Sequence, residues 1–288
     1  MSSLKEIRGR INSVSATLKI TDVNRMISSA KLHKAQSSLN SFLFYKNNIL
    51  STFYDLINSL SEANIPLMTQ NTETKKVLII SFSSNSGLCG AFNSNAIKKT
   101  AEIIEKYHTK SYNVMLYTIG KKIYDGFSHN KNIALENIPP EIYDHQSYTK
   151  VSNVAEKIIA MYLNKEVDEV VMIYNRFKNI LTQYITEKKL LPLTDGNGHK
   201  DVYPDYIMEP DKETLVSVLT PQVVKLTFYE TLLESLVAEY AARSSAMQAA
   251  TDNANDLLGE LSTQYNKVRQ SAITGELIDI VGGSEALK

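Results

Sequence analysis

The strongest candidate for chemistry is a glycine turn at residues 83–90 (SSNSGLCG), which follows a β-rich run and precedes a helical one. Turns at this point of an α/β unit often bind phosphate through backbone N–H groups at the start of the helix. The turn matches neither G-x-x-x-x-G-K-S/T nor G-x-G-x-x-G with a following acidic residue. The pattern therefore favours a tight strand-to-helix turn that needs glycine backbone angles, with Gly87, Cys89 and Gly90 as its structural residues.

The chain carries one cysteine, Cys89, and the neighbouring sequence has no evident His or Lys that would activate it as a nucleophile. A single cysteine also rules out an internal disulfide and a cysteine-cluster metal site. The histidines are scattered without metal-ligand spacing, at positions 33, 108, 129, 145 and 199. We therefore expect no catalytic residue, no metal site and no cofactor in this chain.

The overall charge is balanced, because 31 Lys and Arg residues match 31 Asp and Glu residues. Proteins that bind nucleic acid usually carry a basic excess, so this composition argues against a nucleic acid as partner. No apolar run approaches the roughly 20 residues that span a bilayer. We therefore expect a soluble protein, or one that is peripheral to a membrane.

The N-terminal residues carry a heptad repeat, in which apolar or small residues recur at alternating spacings of three and four. The repeat positions are Leu4, Ile7, Ile11, Val14, Leu18, Leu32, Ala35, Leu39, Phe42, Ile49, Phe53, Leu56 and Leu60. Thr21, Arg25, Ser28 and Lys46 interrupt the repeat without shifting its register. A helix of this length would extend about 85 Å, which favours a coiled coil. The first twenty residues also suit a mitochondrial presequence, but the continuing apolar phase favours a structural helix.

The C-terminal segment shows the same repeat after Pro221. Its positions are Leu233, Val237, Tyr240, Ser244, Met247, Thr251, Ala254, Leu258, Leu261, Tyr265 and Val268. Residues 1–60 contain eight basic and three acidic residues, whereas residues 222–288 contain five basic and nine acidic ones. Opposite net charges favour pairing of the two ends with each other over self-association of either end.

Between the two ends, short β-rich runs alternate with helical stretches. Strands are predicted at residues 77–82, 112–118, 133–138 and 169–174, and helices at 95–108, 120–127 and 149–163. This alternation predicts a parallel sheet flanked by helices. Residues 191–210 contain two glycines and two prolines after Pro192 and are predicted to form a connecting loop.

Together these patterns predict an α/β protein, in which the terminal helices form a long antiparallel coiled coil and the middle forms a Rossmann-like domain. The predicted divisions are an N-terminal coiled-coil helix at 1–64, a central α/β domain at 65–208 and a C-terminal coiled-coil helix at 209–288. Such a molecule suits the transmission of force better than catalysis.

Two other functions are compatible with the same patterns. The central domain could bind a nucleotide or act as an enzyme while the helices serve as a dimerisation stalk, which predicts nucleotide binding by the isolated chain. Alternatively, the helices could form a structural scaffold or a basic helix pair for nucleic acid. That alternative predicts a homodimer and, for nucleic acid, an affinity that falls steeply with salt.

Several stretches resemble the gamma subunit of the F-type ATP synthase, the central shaft of a rotary motor. They are LKEIRGRINSV and MISSAKLHKAQ near the N-terminus, SGLCGAFNSN at the glycine turn, YNRFKNILTQ in the central domain, and EYAARSSAMQAATDNANDLLGELSTQYNKVRQSAITGELIDIVGG near the C-terminus. The resemblance covers essentially the whole chain in the expected order, and the last stretch is the most specific.

The resemblance implies a non-catalytic subunit, present once per complex, whose paired helices insert into a ring of three alpha and three beta subunits. It implies that the α/β domain contacts the epsilon subunit and the c-ring. Proton flow would turn the c-ring and the shaft, and the turning shaft would drive ATP synthesis or hydrolysis at the beta subunits. The implied location is peripheral, on the cytoplasmic face of a bacterial inner membrane.

The resemblance also implies contacts between individual side chains and the alpha/beta ring. The family's coupling contacts correspond to Arg243, Arg269, Gln270, Thr274 and Glu276. The family's basic residues near an acidic beta segment correspond to Arg8, Arg10, Lys31 and Lys34, each of which would otherwise be part of a solvated helix face.

The sequence departs from the family at a few positions. Asp22 and Asn24 stand where the family usually has Lys and Met, and Asn85 and Ser86 stand where it usually has Asp and Arg. Redox-regulated chloroplast members carry a cysteine pair, which a chain with one cysteine lacks. We therefore expect a bacterial member.

Overall fold

The computed structural model describes residues 3–60, 65–69, 75–130, 133–145, 147–194 and 208–285. The elements follow in the order α1 (Leu4–Asn58), β1 (Lys76–Phe82), α2 (Phe92–Thr109), β2 (Asn113–Ile119), α3 (Lys121–Phe127), β3 (Ala134–Ile138), α4 (Glu141–His145), α5 (Tyr148–Leu163), β4 (Glu169–Phe177), β5 (Gln183–Leu191) and α6 (Lys212–Glu285). The predicted fold class is confirmed, since along the chain two long terminal helices flank a central segment in which strands and helices alternate. No helix within these ranges has a stretch that is long and apolar enough to cross a membrane.

The heptad repeat predicts the buried face of both long helices. Every repeat position predicted in α1 and in α6, together with Leu60 beyond α1, is buried or half-buried. The helix α6 begins at Lys212 and contains Pro221. The heptad positions were predicted after this proline, within a C-terminal helical segment predicted from residue 209. This proline lies in the third turn of α6, where its missing N–H leaves the helix without one i→i−4 hydrogen bond.

The sheet has the strand order β3-β2-β1-β4-β5. The strands β1 to β4 are parallel, as predicted, and Ile80 of β1 lies between Tyr117 of β2 and Met172 of β4. The strand β5 was not predicted, and it runs antiparallel to β4. A connection as short as the one between Phe177 and Gln183 can only reverse the chain, because a parallel crossover needs about a dozen residues.

Each face of the sheet is covered by helices, as expected for a parallel sheet. Along β1, Val77 and Ile79 pack with residues of α2 and α3, whereas Leu78, Ile80 and Phe82 pack with residues of α5 and of the long helices. Alternate side chains of a strand point to opposite faces, so an almost continuous apolar run supplies both cores.

Two compact units are formed by the chain. The first contains Met1–Ser28 and Ser244–Lys288, and here α1 and α6 meet through the hydroxyl groups of Thr21 and Thr251, 3.0 Å apart. The second contains Ser29–Arg243, with the sheet. The predicted divisions near residues 64 and 208 stay predictions. Of the predicted loop 191–210, residues 195–207 lie outside the described residues.

The direction of the helix pair is evident within the second unit. Lys31 lies over the ring of Tyr240, with Nζ 5.7 Å from the centroid, and the rings of Phe42 and Tyr229 are 4.8 Å apart. Residue numbers rise along α1 while those of their partners fall along α6. The two helices are therefore antiparallel, as predicted.

One glycine is required by a close backbone approach. Gly120, between β2 and α3, has a φ of 100°, and a Cβ at this position would lie 2.0 Å from the carbonyl oxygen of Ser83. The Ser83 N–H donates to the Ile119 carbonyl oxygen at 2.8 Å. The two backbone segments therefore cannot move apart without losing a hydrogen bond.

We expect Gly120→Ala to lower the free energy of unfolding by about 3 kcal/mol, because it combines an unfavourable φ with a steric overlap. Urea unfolding of the full chain measures this change. The matched control is Gly87→Ala, since no atom lies within 4 Å of a Cβ at Gly87. Equal unfolding midpoints for the two variants would contradict the explanation.

Candidate functional site

The glycine turn leads from β1 into α2. Gly90 has a φ of 58°, in the left-handed region that favours glycine, as the sequence analysis expected. The second left-handed residue of the turn is Leu88, with a φ of 63°, and not Gly87. The side chain of Leu88 is exposed, so its unusual backbone angle orients it toward solvent.

The turn is stabilised from inside by a small polar cluster. The side-chain amide of Asn93 donates to the Cys89 sulfur at 3.2 Å, and its oxygen accepts from the Ser84 backbone N–H at 3.0 Å. Cys89 is only 1% exposed, and burial raises the pKa of its thiol above the ordinary value. A buried, protonated thiol is a poor nucleophile, so the geometry supports a structural role for Cys89.

The outer side of the turn contacts a cation. Nη1 of Arg243 donates to the Ser86 hydroxyl and to the Gly87 carbonyl, both at 3.1 Å. Nη2 donates to the Ser86 carbonyl at 3.4 Å and to Glu239 at 2.6 Å. A phosphate-binding turn presents N–H donors to an anion, whereas this turn presents oxygen acceptors to a guanidinium group. Its polarity is therefore opposite to that of a phosphate site.

The position of this turn in the sheet is the one at which many α/β proteins bind ligands. The chain leaves β1 for β2 on one side, while β4 lies on the other side, which makes a crevice at the carboxyl ends of β1 and β4. Here Cys89 and Phe92, with Phe177 at the end of β4, pack against Ala238 and Ala242 of α6. The crevice is filled by the chain's own helix.

Glu239 is a site residue that the sequence analysis missed. Its side chain is 6% exposed, and it pairs with Arg243 four residues further along α6. Tyr143 of α4 lies beside it, and burial first, then the charge of Glu239, raise the pKa of the Tyr143 hydroxyl well above its ordinary value. The spacing of four residues between an acidic and a basic side chain was the available signal, because such pairs are neighbours on a helix.

Three of the four departures from the family, at Asp22, Asn85 and Ser86, have local explanations. Both oxygens of Ser86 accept hydrogen bonds from Arg243, and the side-chain oxygen of Asn85 accepts from the Lys121 N–H at 3.1 Å. Asp22 forms an ion pair with Arg25 at 2.7 Å, one helical turn away. These substituted residues are therefore satisfied within the chain.

The predicted basic residues of α1 lie on exposed helix surfaces. Lys31 and Lys34 are exposed in the second unit. Arg8 and Arg10 are exposed in the first unit, where Arg10 pairs with Glu6 at 3.0 Å. Apolar side chains that the sequence analysis did not single out are also exposed on α1, namely Ile20, Val23, Met26 and Ile27. An exposed apolar stripe of this kind is typical of an interaction surface.

The predicted contacts near the end of α6 lie on an exposed face of the first unit. Arg269 and Glu276 are two turns apart, and Gln270 and Thr274 are one turn apart, so each pair shares a side of the helix. All four are exposed. Exposed apolar side chains lie among these residues and directly after them, namely Ile273, Leu277, Ile278, Ile280 and Val281. We call this set, from Arg269 to Val281, the outer α6 face.

The structure thus divides the predicted residues into two groups. Gly87, Cys89, Gly90 and Arg243 meet in one site at the carboxyl edge of the sheet. The other eight predicted residues lie on exposed helix surfaces and do not contribute to that site. Among the described residues, no cluster of three or more His, Cys, Asp or Glu residues could hold a metal ion.

Comparisons with known proteins agree with the resemblance. Residues 3–287 match a family model described as ATP synthase. The chain is 40% identical to an ATP synthase gamma chain of Phocaeicola vulgatus, over 99% of this chain and all of that protein. It is 40% identical to the gamma chain of Parabacteroides distasonis, over 99% of both chains.

Solved structures share the fold at lower sequence identity. A chain of the Euglena gracilis mitochondrial ATP synthase rotor superposes with a TM-score of 0.65 and 18% identity, over 94% of this chain and 98% of that one. A chain of the Tetrahymena thermophila central stalk and c-ring structure gives 0.57 and 20% identity, over 80% and 99%.

We expect Arg243→Gln to lower the free energy of unfolding by about 3 kcal/mol, because it removes the cation that the buried Glu239 carboxylate contacts. Urea unfolding of the full chain tests this expectation. Arg269→Gln is the control, since it removes the same charge from an exposed position of the same helix. If both variants unfold at the same urea concentration, Arg243 does not stabilise the turn.

Proposed function

The chain belongs to the ATP synthase gamma family, part of the central stalk of the F-type ATP synthase, and from this premise we propose that it works as a rotor shaft. In this role it couples proton-driven rotation of a membrane c-ring to conformational change and to ATP synthesis or hydrolysis at catalytic beta subunits. The observation that carries the proposal is the match to bacterial gamma chains over essentially the full length of both proteins.

The proposed partners are three alpha and three beta subunits around one copy of this chain, an epsilon subunit and a c-ring. Support comes from the similar chains, which belong to structures titled as rotor, central stalk and c-ring assemblies. The proposed location is peripheral, on the cytoplasmic face of a bacterial inner membrane, because the relatives described above are bacterial gamma chains.

The glycine turn supports a mechanical role for the central domain. Its carbonyl groups contact Arg243, and α6 fills the crevice at the ends of β1 and β4. A nucleotide at this position would have to displace both the guanidinium group and an apolar helix surface. In the proposed function the nucleotide chemistry therefore belongs to the beta subunits.

The outer α6 face is proposed to contact the alpha/beta ring. Arg269, Gln270, Thr274 and Glu276 can form charge-assisted or neutral hydrogen bonds that are made and broken as the shaft turns. The neighbouring apolar side chains add a non-directional attraction of about 25 cal/mol for each square ångström removed from water. A surface of this composition can slide along a partner, because only its few polar contacts depend on angle.

The basic residues of α1 are proposed to contact an acidic segment of beta. Arg8, Arg10, Lys31 and Lys34 are exposed and provide long, flexible cations. Arg243 differs from them, because its side chain is 14% exposed and its hydrogen bonds are made within the chain. We propose that it contributes to coupling by holding the turn, whose exposed residues Ser86 and Gly87 then meet the ring.

The proposal is tested by purifying the tagged chain from its native membranes, followed by subunit identification and an ATPase assay. We expect alpha and beta subunits in about threefold excess over this chain, with hydrolysis by the complex and none by the chain alone, since the partners hold the nucleotide sites. Recovery of a homodimer that binds nucleotide would contradict the proposal and favour the enzyme alternative.

A second test addresses the outer α6 face. We expect Arg269→Gln to reduce ATP-driven proton pumping by membrane vesicles about fivefold, the factor that corresponds to loss of one charge-assisted contact of about 1 kcal/mol. Arg10→Gln tests a proposed contact on α1, where the ion pair with Glu6 competes for the guanidinium group, so we expect a smaller loss of pumping. Unchanged pumping by the Arg269 variant would remove this residue from the proposed contacts.

A further inference from the structure

A buried group of three charges lies away from the glycine turn. Glu230 of α6 accepts from Lys46 of α1 at 2.6 Å through one carboxylate oxygen, and from Lys188 of β5 at 2.9 Å through the other. The side chains of Glu230 and Lys46 are 8% and 10% exposed, and that of Lys188 is 33% exposed. We call this set the lysine–glutamate triad.

The charges of the triad depend on one another. Burial raises the pKa of Glu230, but Lys188 and Lys46 lower it by more, so the pKa of Glu230 lies below its ordinary value of 4.5. The carboxylate is therefore ionised at neutral pH. Without Glu230, two lysines would face each other across a largely dry space. Removal of the central carboxylate is therefore more disruptive than removal of either lysine.

Stability alone does not account for such a group. Apolar side chains of similar volume often stabilise a buried site as well as an ion network does, because desolvation offsets most of the Coulomb attraction. What a buried polar contact adds is specificity, since it has favourable partners in only one register and one orientation. Apolar packing between helices discriminates less strongly between neighbouring arrangements.

The triad joins three elements that are far apart in sequence but in contact in the fold. Lys46 and Glu230 are separated by 184 residues, and Lys188 lies on the edge strand of the sheet. A shift of α6 by one residue along its axis, or a rotation about it, would break both ion pairs. Load between the sheet and the helix pair therefore passes through a contact that resists sliding in both directions.

We propose that Glu230 is a positioning residue, which sets the register and orientation of α1 and α6 on the sheet and so carries load from the α/β domain to the helix pair. The inference rests on the proposed rotor function for its consequence, but its structural part stands on the geometry of the triad. Glu230 takes no part in nucleotide or proton chemistry in this proposal.

Glu234 provides a matched control one turn further along α6. It carries the same charge and faces Arg176 of β4, but the closest approach is 3.9 Å and the Arg176 side chain is 64% exposed. The variant Glu234→Gln therefore tests loss of a carboxylate at a neighbouring site that does not lie between two lysines. The conservative variant Lys46→Arg keeps a cation opposite Glu230.

The first experiment is backbone hydrogen exchange on the full chain in its purified complex. We expect Glu230→Gln to speed exchange at residues 183–191 and 42–50 about tenfold, the factor that corresponds to roughly 1.4 kcal/mol of local opening free energy. Glu234→Gln should leave these segments unchanged. If exchange in both segments stays at the wild-type rate in the Glu230 variant, the proposal is overturned, whether or not the complex pumps protons.

The second experiment measures protons pumped per ATP hydrolysed in membrane vesicles, without and with an opposing proton gradient. We expect Glu230→Gln to leave the number of protons pumped per ATP unchanged at zero gradient. Against the gradient we expect this number to fall about threefold, because a weakened contact between the sheet and the helix pair yields only under load. Lys46→Arg should behave as wild type. Loss at zero gradient, or equal behaviour of the Glu230 and Glu234 variants, would overturn the positioning role.

A triple variant separates positioning from stability. Lys46→Met, Glu230→Leu and Lys188→Met together replace the triad with apolar side chains, which should restore slow exchange without restoring the ratio under load. Recovery of both quantities would reduce the triad to a structural role. If wild-type vesicles neither hydrolyse ATP nor pump protons, the rotor function fails, while the exchange result still decides the structural part.

Discussion

The second unit depends on the burial of α6 against the sheet. From Val223 to Ala242 this helix is buried or half-buried at every position, with Phe228, Leu232 and Leu236 in the core that covers one face of the sheet. A helix that is apolar around most of its circumference must be enclosed, and here the sheet and α1 enclose it. The position of β1, the crevice beside it and the triad all follow from this packing.

The same packing explains why the glycine turn binds no external anion in the proposed function. Ala238 and Ala242 have small side chains, so α6 can approach Cys89 and Phe92 closely. Arg243 is the next residue along the helix, where it donates to Glu239 at 2.6 Å and to the oxygens of Ser86 and Gly87 at 3.1 Å. The glycine turn has a position that is common in nucleotide-binding proteins, but here it packs against the chain's own helix. Arg243 of α6 supplies the positive charge, whereas a ligand-binding turn would supply it through its own N–H groups.

The long helices change character between the two units. After Arg243 the buried positions of α6 narrow to single repeat positions such as Met247, Ala254 and Leu261, while most other positions are exposed. A narrow seam is what pairing of two helices requires, and it leaves the rest of the surface for partners. The outer α6 face follows Val268, the last predicted position of the seam, and it combines exposed apolar and polar side chains. Such a composition is expected of a surface that a larger assembly covers.

The sequence by itself determined the elements that depend on local patterns. The heptad positions from Leu4 to Leu60 and from Leu233 to Val268, the runs that form β1 to β4, and the family resemblance could all be read from neighbouring residues. The seam follows from periodicity, since side chains three and four residues apart share one side of a helix. The strand β5 and the short helix α4 were not predicted in this way.

Only the tertiary structure decided what depends on distant residues. Arg243 could have been a partner contact or an internal one, and its hydrogen bonds to a turn 156 and 157 residues away decided that it points inward. Lys46 interrupts the seam in sequence, yet Glu230, 184 residues away, makes it a buried ion pair. A charge in a sequence has no partner until the chain folds, because Coulomb attraction depends on distance in space and on burial.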